Sequence, residues 1–367
     1  MRKFPLIIVT ILSVLVLVAC GNSAPNKRDG EKVTITQTVS LSSGTQNGET
    51  TYKRSEITTE FTKNPKRIAV YALGVLDIFD FIGLDVLGIE KLALPFASVP
   101  ERLNQYTKAP HVNGGTLFEV DHETLQLFRP DLIILDGRNA DLYEDLKQKY
   151  AYADILDATS TTYSVETHKA IVNNLSKLFD NGGDSMKEEM ASIETEINAI
   201  KGVTKDYKAL FIMSNGFNQS KIVISVSGAD GRYGTLHNDF GFLEAAPGGK
   251  ISGGDSHGLP VTLENLTEIN PDVIFIMDRA AVVADVSSSL TELKNEPIFK
   301  SLNAVKNNYV FDLDSVSWYT VSGGFNSTRQ MINDIKAFVQ LVTNKWNNTS
   351  SLNCLAIYWQ TRLNLVK

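Results

Sequence analysis

Glu123-Thr-Leu-Gln-Leu-Phe-Arg-Pro130-Asp131-Leu-Ile-Ile-Leu-Asp136-Gly-Arg138 returns later in the chain as Glu264-Asn-Leu-Thr-Glu-Ile-Asn-Pro271-Asp272-Val-Ile-Phe-Ile-Met-Asp278-Arg279. Aligned without a gap, the Glu, the first Leu, Pro, Asp, one Ile and the final Arg coincide. Two copies this far apart do not make a solenoid; they predict two similar lobes, each built once. Each copy opens with Glu-x-Leu, one turn of an amphipathic helix. Proline stops that helix because it lacks an N–H and restricts the residue before it. The apolar run that follows is typical of a strand buried on both faces of a parallel sheet. Ligands of open α/β sheets bind beyond the carboxyl ends of such strands. Arg138 and Arg279 are therefore expected to face one cleft, with Glu123 and Glu264 at the far ends of the preceding helices.

Outward from the repeat, the pattern alternates strand and helix, which predicts parallel sheets covered on both faces. Strands are expected at Ile68–Tyr71, Val86–Ile89, Ala153–Leu156, Lys208–Met213, Lys221–Val226 (the last two as a hairpin) and Asn308–Asp312. Helices are expected at Gly74–Leu84, Asp141–Tyr150, Thr167–Phe179 and Gln330–Val342, with an irregular stretch at 91–113. Between the lobes, Met186, Met190, Ile193, Ile197 and Ile200 keep helical spacing up to Gly202. The fold class is α/β: two similar doubly wound lobes joined by one rigid long helix. The expected divisions are a leader (1–20), a flexible tether (21–55), an N-terminal lobe (56–183), the connecting helix (184–202), a C-terminal lobe (203–342) and an atypical tail (343–367). Within the tether, Val33–Val39 alternates as an edge strand would.

Met1-Arg2-Lys3 is basic and Phe4–Ala19 almost wholly apolar, too short for a membrane span of about 20 residues but fitting a secretory leader. Leu17-Val-Ala-Cys20-Gly21 resembles the bacterial lipobox, which implies lipidation of Cys20 and anchorage on the outer face of the cell membrane. The chain has two cysteines; with Cys20 lipidated, Cys354 has no disulfide partner. A net charge of -7 argues against nucleic acid as a partner and makes any anion site a local gathering of arginines.

Asn64-Pro-Lys-Arg-Ile68, the lipobox, the two lobes and the connecting helix together resemble the substrate-binding lipoproteins of bacterial iron-siderophore ABC importers, over roughly residues 56–342. Four segments resemble the subgroup that binds catecholate siderophores of the petrobactin type: Asp136-Gly-Arg138; Gly231-Arg232-Tyr-Gly-Thr-Leu-His237; Ser256-His257-Gly258 with Asp278-Arg279; and Trp318-Tyr319-Thr-Val-Ser-Gly. The resemblance implies a class III substrate-binding fold of the helical-backbone metal receptor type, acting as a monomer and not as an enzyme. It implies three arginines around the pocket (Arg138, Arg232, Arg279), a histidine and a tyrosine approaching the iron (His257, Tyr319), and Trp318 beside them. It also implies glutamates that dock an ABC permease, at Glu123 and Glu264. His237 matches a family position too, but a packing role in a short helix is expected of it.

The chemistry agrees with those residue types. Guanidinium groups stay charged and present planar donor forks to catecholate oxygens. Fe(III) brought by a tetradentate bis-catecholate keeps two open positions, which a phenolate and an imidazole can close; no cofactor of the protein's own is implied. Haem or a corrinoid on the same scaffold is the alternative ligand, with His257 or Tyr319 axial. A zinc or manganese importer fits less well, because the five histidines lack ligand spacing. A surface hydrolase is the remote alternative: no His-Glu-x-x-His pair and no nucleophile elbow is read from the chain.

Overall fold

The computed structural model describes residues 27–46, 48–160, 163–246, 258–283 and 286–349, with side chains as far as Lys345. Cys20, Ser256, His257 and most of the tail lie outside the described residues. Among the described residues, thirteen strands make two lobe sheets and one separate ribbon.

The N-terminal lobe holds β3 (Arg67–Val70), β4 (Lys91–Leu94), β5 (Val112–Asn113), β6 (Leu132–Leu135) and β7 (Asp154–Asp157), in the order β5-β4-β3-β6-β7. Every pairing is parallel. The C-terminal lobe holds β8 (Lys208–Asn218), β9 (Lys221–Ser227), β10 (Leu243–Glu244), β11 (Leu259–Val261), β12 (Val273–Asp278) and β13 (Val310–Asp312). Its order is β11-β9-β8-β12-β13, with β10 beside the start of β8. Here β8 and β9 form the expected antiparallel hairpin, while β12 runs parallel to β8 and β13. The second lobe is thus a mixed-sheet relative of the first.

The repeat explains the likeness. Both repeat helices, His122–Phe128 and Leu263–Ile269, end in a left-handed residue, Arg129 and Asn270. Pro130 or Pro271 follows, then the repeated aspartate. The Asp131 carboxylate accepts the N–H of Lys66 (2.9 Å) and of Arg67 (3.0 Å). The Asp272 carboxylate accepts the N–H of Lys208 (2.9 Å). Each aspartate therefore fastens its own strand to the start of the central neighbour, where backbone donors would otherwise lack partners.

The connecting helix is Gly183–Thr204, and a long C-terminal helix spans Phe325–Thr349, outrunning the expected Gln330–Val342. Met186, Met190, Ile193, Ile197 and Ile200 are buried together with Ile332, Ile335, Phe338 and Val342 in one cluster that also takes in Val70 of β3 and Phe211 of β8. Arg329 ties the two helices, donating to Glu189 (2.6 Å), Glu196 (2.5 Å) and Ser192 (2.8 Å). A single core under both lobes makes the connector stiff.

Two expectations need correction. Val86–Ile89 is not a strand: Leu84–Leu87 is a helical turn closed by Gly88 in the left-handed region, and the strand is β4. The stretch read as a tether is, from Lys32 on, an antiparallel ribbon of β1 (Lys32–Gln46) and β2 (Glu49–Thr62). Its alternation buries Ile35, Val39 and Phe61. The Gln37 amide donates to Ile155 O (3.0 Å) and accepts from Asp157 N (2.8 Å), covering the edge strand β7, which would otherwise be open to pairing with another chain.

Candidate functional site

A cleft of about 660 Å³ lies between the lobes. Its walls come from the turn after β6 (Asp136–Arg138), the segment after β7 (Ala158–Ser160, Tyr163, His168), the glycine loop Asp230–Arg232 and the loop Tyr319–Gly323. Ser40 and Arg54 of the ribbon, Phe118 and the segment Ala72–Val75 after β3 also line it. The first two of these walls follow the carboxyl ends of parallel strands, where such sheets bind ligands.

Arg138 is held by its own turn: Nη1 donates to Asp136 (2.7 Å), and its backbone N–H donates to the same carboxylate (2.8 Å). Burial raises the Asp136 carboxyl above its ordinary pKa, against the pull of Arg138, the hydrogen bonds and Arg232. Arg232 sits among tyrosines. Its guanidinium carbon is 4.7 Å from the Tyr319 ring centre, 5.5 Å from Tyr163 and 5.7 Å from Tyr233, within the range of cation–π attraction. Its Nη2 donates to Tyr319 O (2.9 Å) and to the Tyr163 hydroxyl (3.4 Å). Nε and Nη1 donate to nothing among the described residues, so the fork remains available to an anionic oxygen.

Of the residues singled out from sequence, Arg138, Arg232 and Tyr319 share this cleft. Arg279 does not line it. It follows β12 directly, partly buried, and its Nε lacks a partner among the described residues. Trp318 is a correction: it is 0% exposed, and its indole N–H donates to Asp334 (2.8 Å), so it packs the core and offers the cleft nothing. His257 lies outside the described residues. His237 is buried, with Nδ1 3.1 Å from Phe242 O, the packing role expected of it. Glu123 and Glu264 are exposed in the first turns of the repeat helices. Glu264 is held below the usual carboxylate range by its backbone amide and Thr262.

Arg54, Phe118, Tyr163 and His168 were not anticipated. Arg54 donates to the buried Asp157 (2.5 Å). Phe118 is 65% exposed, an aromatic face at the cleft. Burial lowers the His168 pKa to about 4. Among the described residues, His168 Nε2, Thr159 Oγ1 and Ser322 Oγ are buried without partners, and all three residues belong to the cleft wall. Gly254-Asp-Ser256-His-Gly258 does spell the Gly-x-Ser-x-Gly of a nucleophile elbow, a correction to the expectation that the chain holds none. A nucleophile elbow, however, leads from strand into helix, and here strand β11 follows.

Residues 68–316 match the periplasmic binding protein family. The chain belongs to that family. Over 342 residues it is 32% identical to the petrobactin-binding protein YclQ of Bacillus subtilis, covering 92% of this chain and 98% of that one. The solved structure of YclQ superposes with a TM-score of 0.66 at 29% identity, over 82% of this chain and 98% of that chain. The catecholate-siderophore binding protein VctP of Vibrio cholerae gives a TM-score of 0.66 at 25% identity, over 82% and 100% of the respective chains. The ferric-anguibactin-binding protein FatB of Vibrio anguillarum is 26% identical over 282 residues, covering 76% of this chain and 83% of that one. The two lobes and the stiff connector described above are the architecture of this family.

Proposed function

We propose that this family member is a lipid-anchored, extracytoplasmic binding protein, without enzymatic activity, that captures a ferric catecholate siderophore and hands it to an ABC permease. The carrying observation is Arg232 in the cleft: a guanidinium walled by tyrosine rings, with Nε and Nη1 unspent, beside Tyr319 and Arg138. Charge-assisted bonds from such a fork suit catecholate oxygens. Kinship to proteins named for petrobactin and catecholate siderophores supports the same ligand class. Tyr319 and His257 would close the open positions of Fe(III) in a tetradentate complex, the metal arriving as cargo. Cys20 would carry the lipid, and Glu123 and Glu264, one per lobe, would dock the permease.

The test is a titration of the full-length chain in mild detergent with a ferric bis-catecholate, read by tryptophan quenching and visible circular dichroism. Saturable quenching with an induced visible signal that weakens in His257→Ala and Tyr319→Phe supports capture with protein ligation. Quenching that ignores both substitutions removes the ligation and leaves the arginine pocket. No response removes the siderophore reading and turns the test to haem and corrinoids.

A further inference from the structure

Tyr163 belongs to the N-terminal lobe, in the loop between β7 and the helix Val165–Leu178, yet its partners are across the cleft. Its backbone N–H donates to Arg232 O (3.3 Å). Its hydroxyl accepts from Arg232 Nη2 (3.4 Å), and its ring lies 5.5 Å from the guanidinium carbon. Two residues on, Val165 N–H donates to Asp239 of the same opposite lobe (3.1 Å). On its other side the Tyr163 ring meets His168 at 5.8 Å. A long cationic side chain has many rotamers to lose on binding; one already held by rings and a hydroxyl loses less.

We propose that Tyr163 is a positioning residue for the ligand site: from the facing lobe it fixes the Arg232 guanidinium so that Nε and Nη1 point into the cleft. This rests on the reading of the cleft as an anionic ferric-siderophore site. Tyr319 and Tyr233 hold Arg232 from its own lobe; Tyr163 is the contact that depends on both lobes being in place, so it couples lobe geometry to the aim of the cation.

The experiment measures ferric bis-catecholate affinity at several salt concentrations for the full-length wild type, Tyr163→Phe, Tyr163→Leu, Arg232→Ala and the Leu/Ala double variant. Tyr163→Leu is expected to weaken binding about tenfold and to flatten the salt dependence, because a misaimed cation contributes less screened attraction. Tyr163→Phe keeps the ring and should recover about half of that loss in free energy, to about threefold below wild type. With Arg232 already absent, Tyr163→Leu should add less than about twofold, the non-additivity expected of residues that act through each other. A general packing role predicts additive losses and an unchanged salt slope, and that result overturns the proposal. Wild-type binding with Tyr163→Leu unmoved overturns this inference alone. A wild type that binds no ferric bis-catecholate overturns the reading of the site together with it.

Discussion

Asp77 carries a prediction that reaches from stability to the cleft. It sits in the N-terminal lobe helix Leu73–Ile82, 0% exposed, yet it caps a helix of the other lobe. Its Oδ2 accepts the N–H (3.0 Å) and hydroxyl (3.2 Å) of Ser327, in the first turn of the C-terminal helix, while Oδ1 takes Arg102 (2.5 Å). The backbones there are in close contact: a methyl on Gly74 would lie 2.5 Å from Ser322 O, and one on Gly324 would overlap the Asp77 carboxylate. Asp77→Ala removes a helix cap worth about 1 kcal/mol and leaves a buried N–H unsatisfied at about 1–3 kcal/mol. It also strands Arg102. That guanidinium is 34% exposed, so only a fraction of the roughly 3–5 kcal/mol for breaking a buried pair applies. These contributions overlap, and the expected loss is about 3 kcal/mol. Urea unfolding should show the midpoint falling by about 1 M at an m of about 3 kcal/mol/M. Asp77→Asn keeps an acceptor for Ser327 and should lose about half as much. Gly324→Ala, which displaces the carboxylate without removing it, should resemble Asp77→Ala. Because Ser322 and Gly323 line the cleft, siderophore affinity should fall in the same order. A loss below about 1 kcal/mol in Asp77→Ala would refute the idea that this seam holds the lobes together.

His168 makes stability depend on pH. Its folded pKa of about 4 lies below the ordinary 6.5, so the unfolded chain binds the extra proton between those values and stability rises with pH through that window. From pH 6.5 down to 5 this costs about 2 kcal/mol, read as a falling urea midpoint; the same slope in His168→Phe would contradict it. The repeated aspartates should rank by their bonds: Asp131→Ala, losing two backbone donors and the Arg67 guanidinium at 2.9 Å, should cost about 2 kcal/mol, and Asp272→Ala, losing one backbone donor, about 1 kcal/mol. Equal midpoints would show that these bonds do not set the order. Glu123→Ala with Glu264→Ala should leave siderophore affinity unchanged and abolish iron-siderophore uptake by cells; normal uptake would end the docking role.

How much of this was legible beforehand depended on whether the signal was local. The helix–Pro–Asp–strand repeat was readable because each part acts within a few residues, and the connecting helix because its apolar spacing is long and regular. The ribbon was only half read. Val33–Val39 alternates, but β2 is rich in Thr and Glu; the hairpin signal lay in Asn47-Gly48, the dipeptide favoured in tight turns. Trp318 and Tyr319 were both assigned to the cleft because the segment was read as a loop. It is a helical turn, Val316–Thr320, in which neighbouring side chains point in different directions, so one aromatic enters the core and the other the cleft.

The two repeat arginines show where symmetry in a sequence stops binding the structure. Arg138 and Arg279 align, but β6 ends at Leu135 and β12 continues to Asp278. In the first lobe that leaves a turn, Asp136–Asn139, in which the Asp136 carboxylate accepts the Arg138 N–H and guanidinium together, setting the side chain on the cleft wall. In the second lobe the aspartate has moved one place along, and its carboxylate accepts from Ala280 N (3.1 Å) and Ser288 (2.5 Å) instead. Among the described residues Arg279 has no such anchor, and it sits partly buried off the cleft. The second cation of the cleft is supplied by Arg232, from a glycine loop outside the repeat. Tyr163 reaches Arg232 for a reason the repeat could not show: it follows β7, the last strand of its sheet, at the carboxyl edge where the opposite lobe comes within hydrogen-bond reach. The repeat builds two similar walls, and residues outside it determine what those walls can hold.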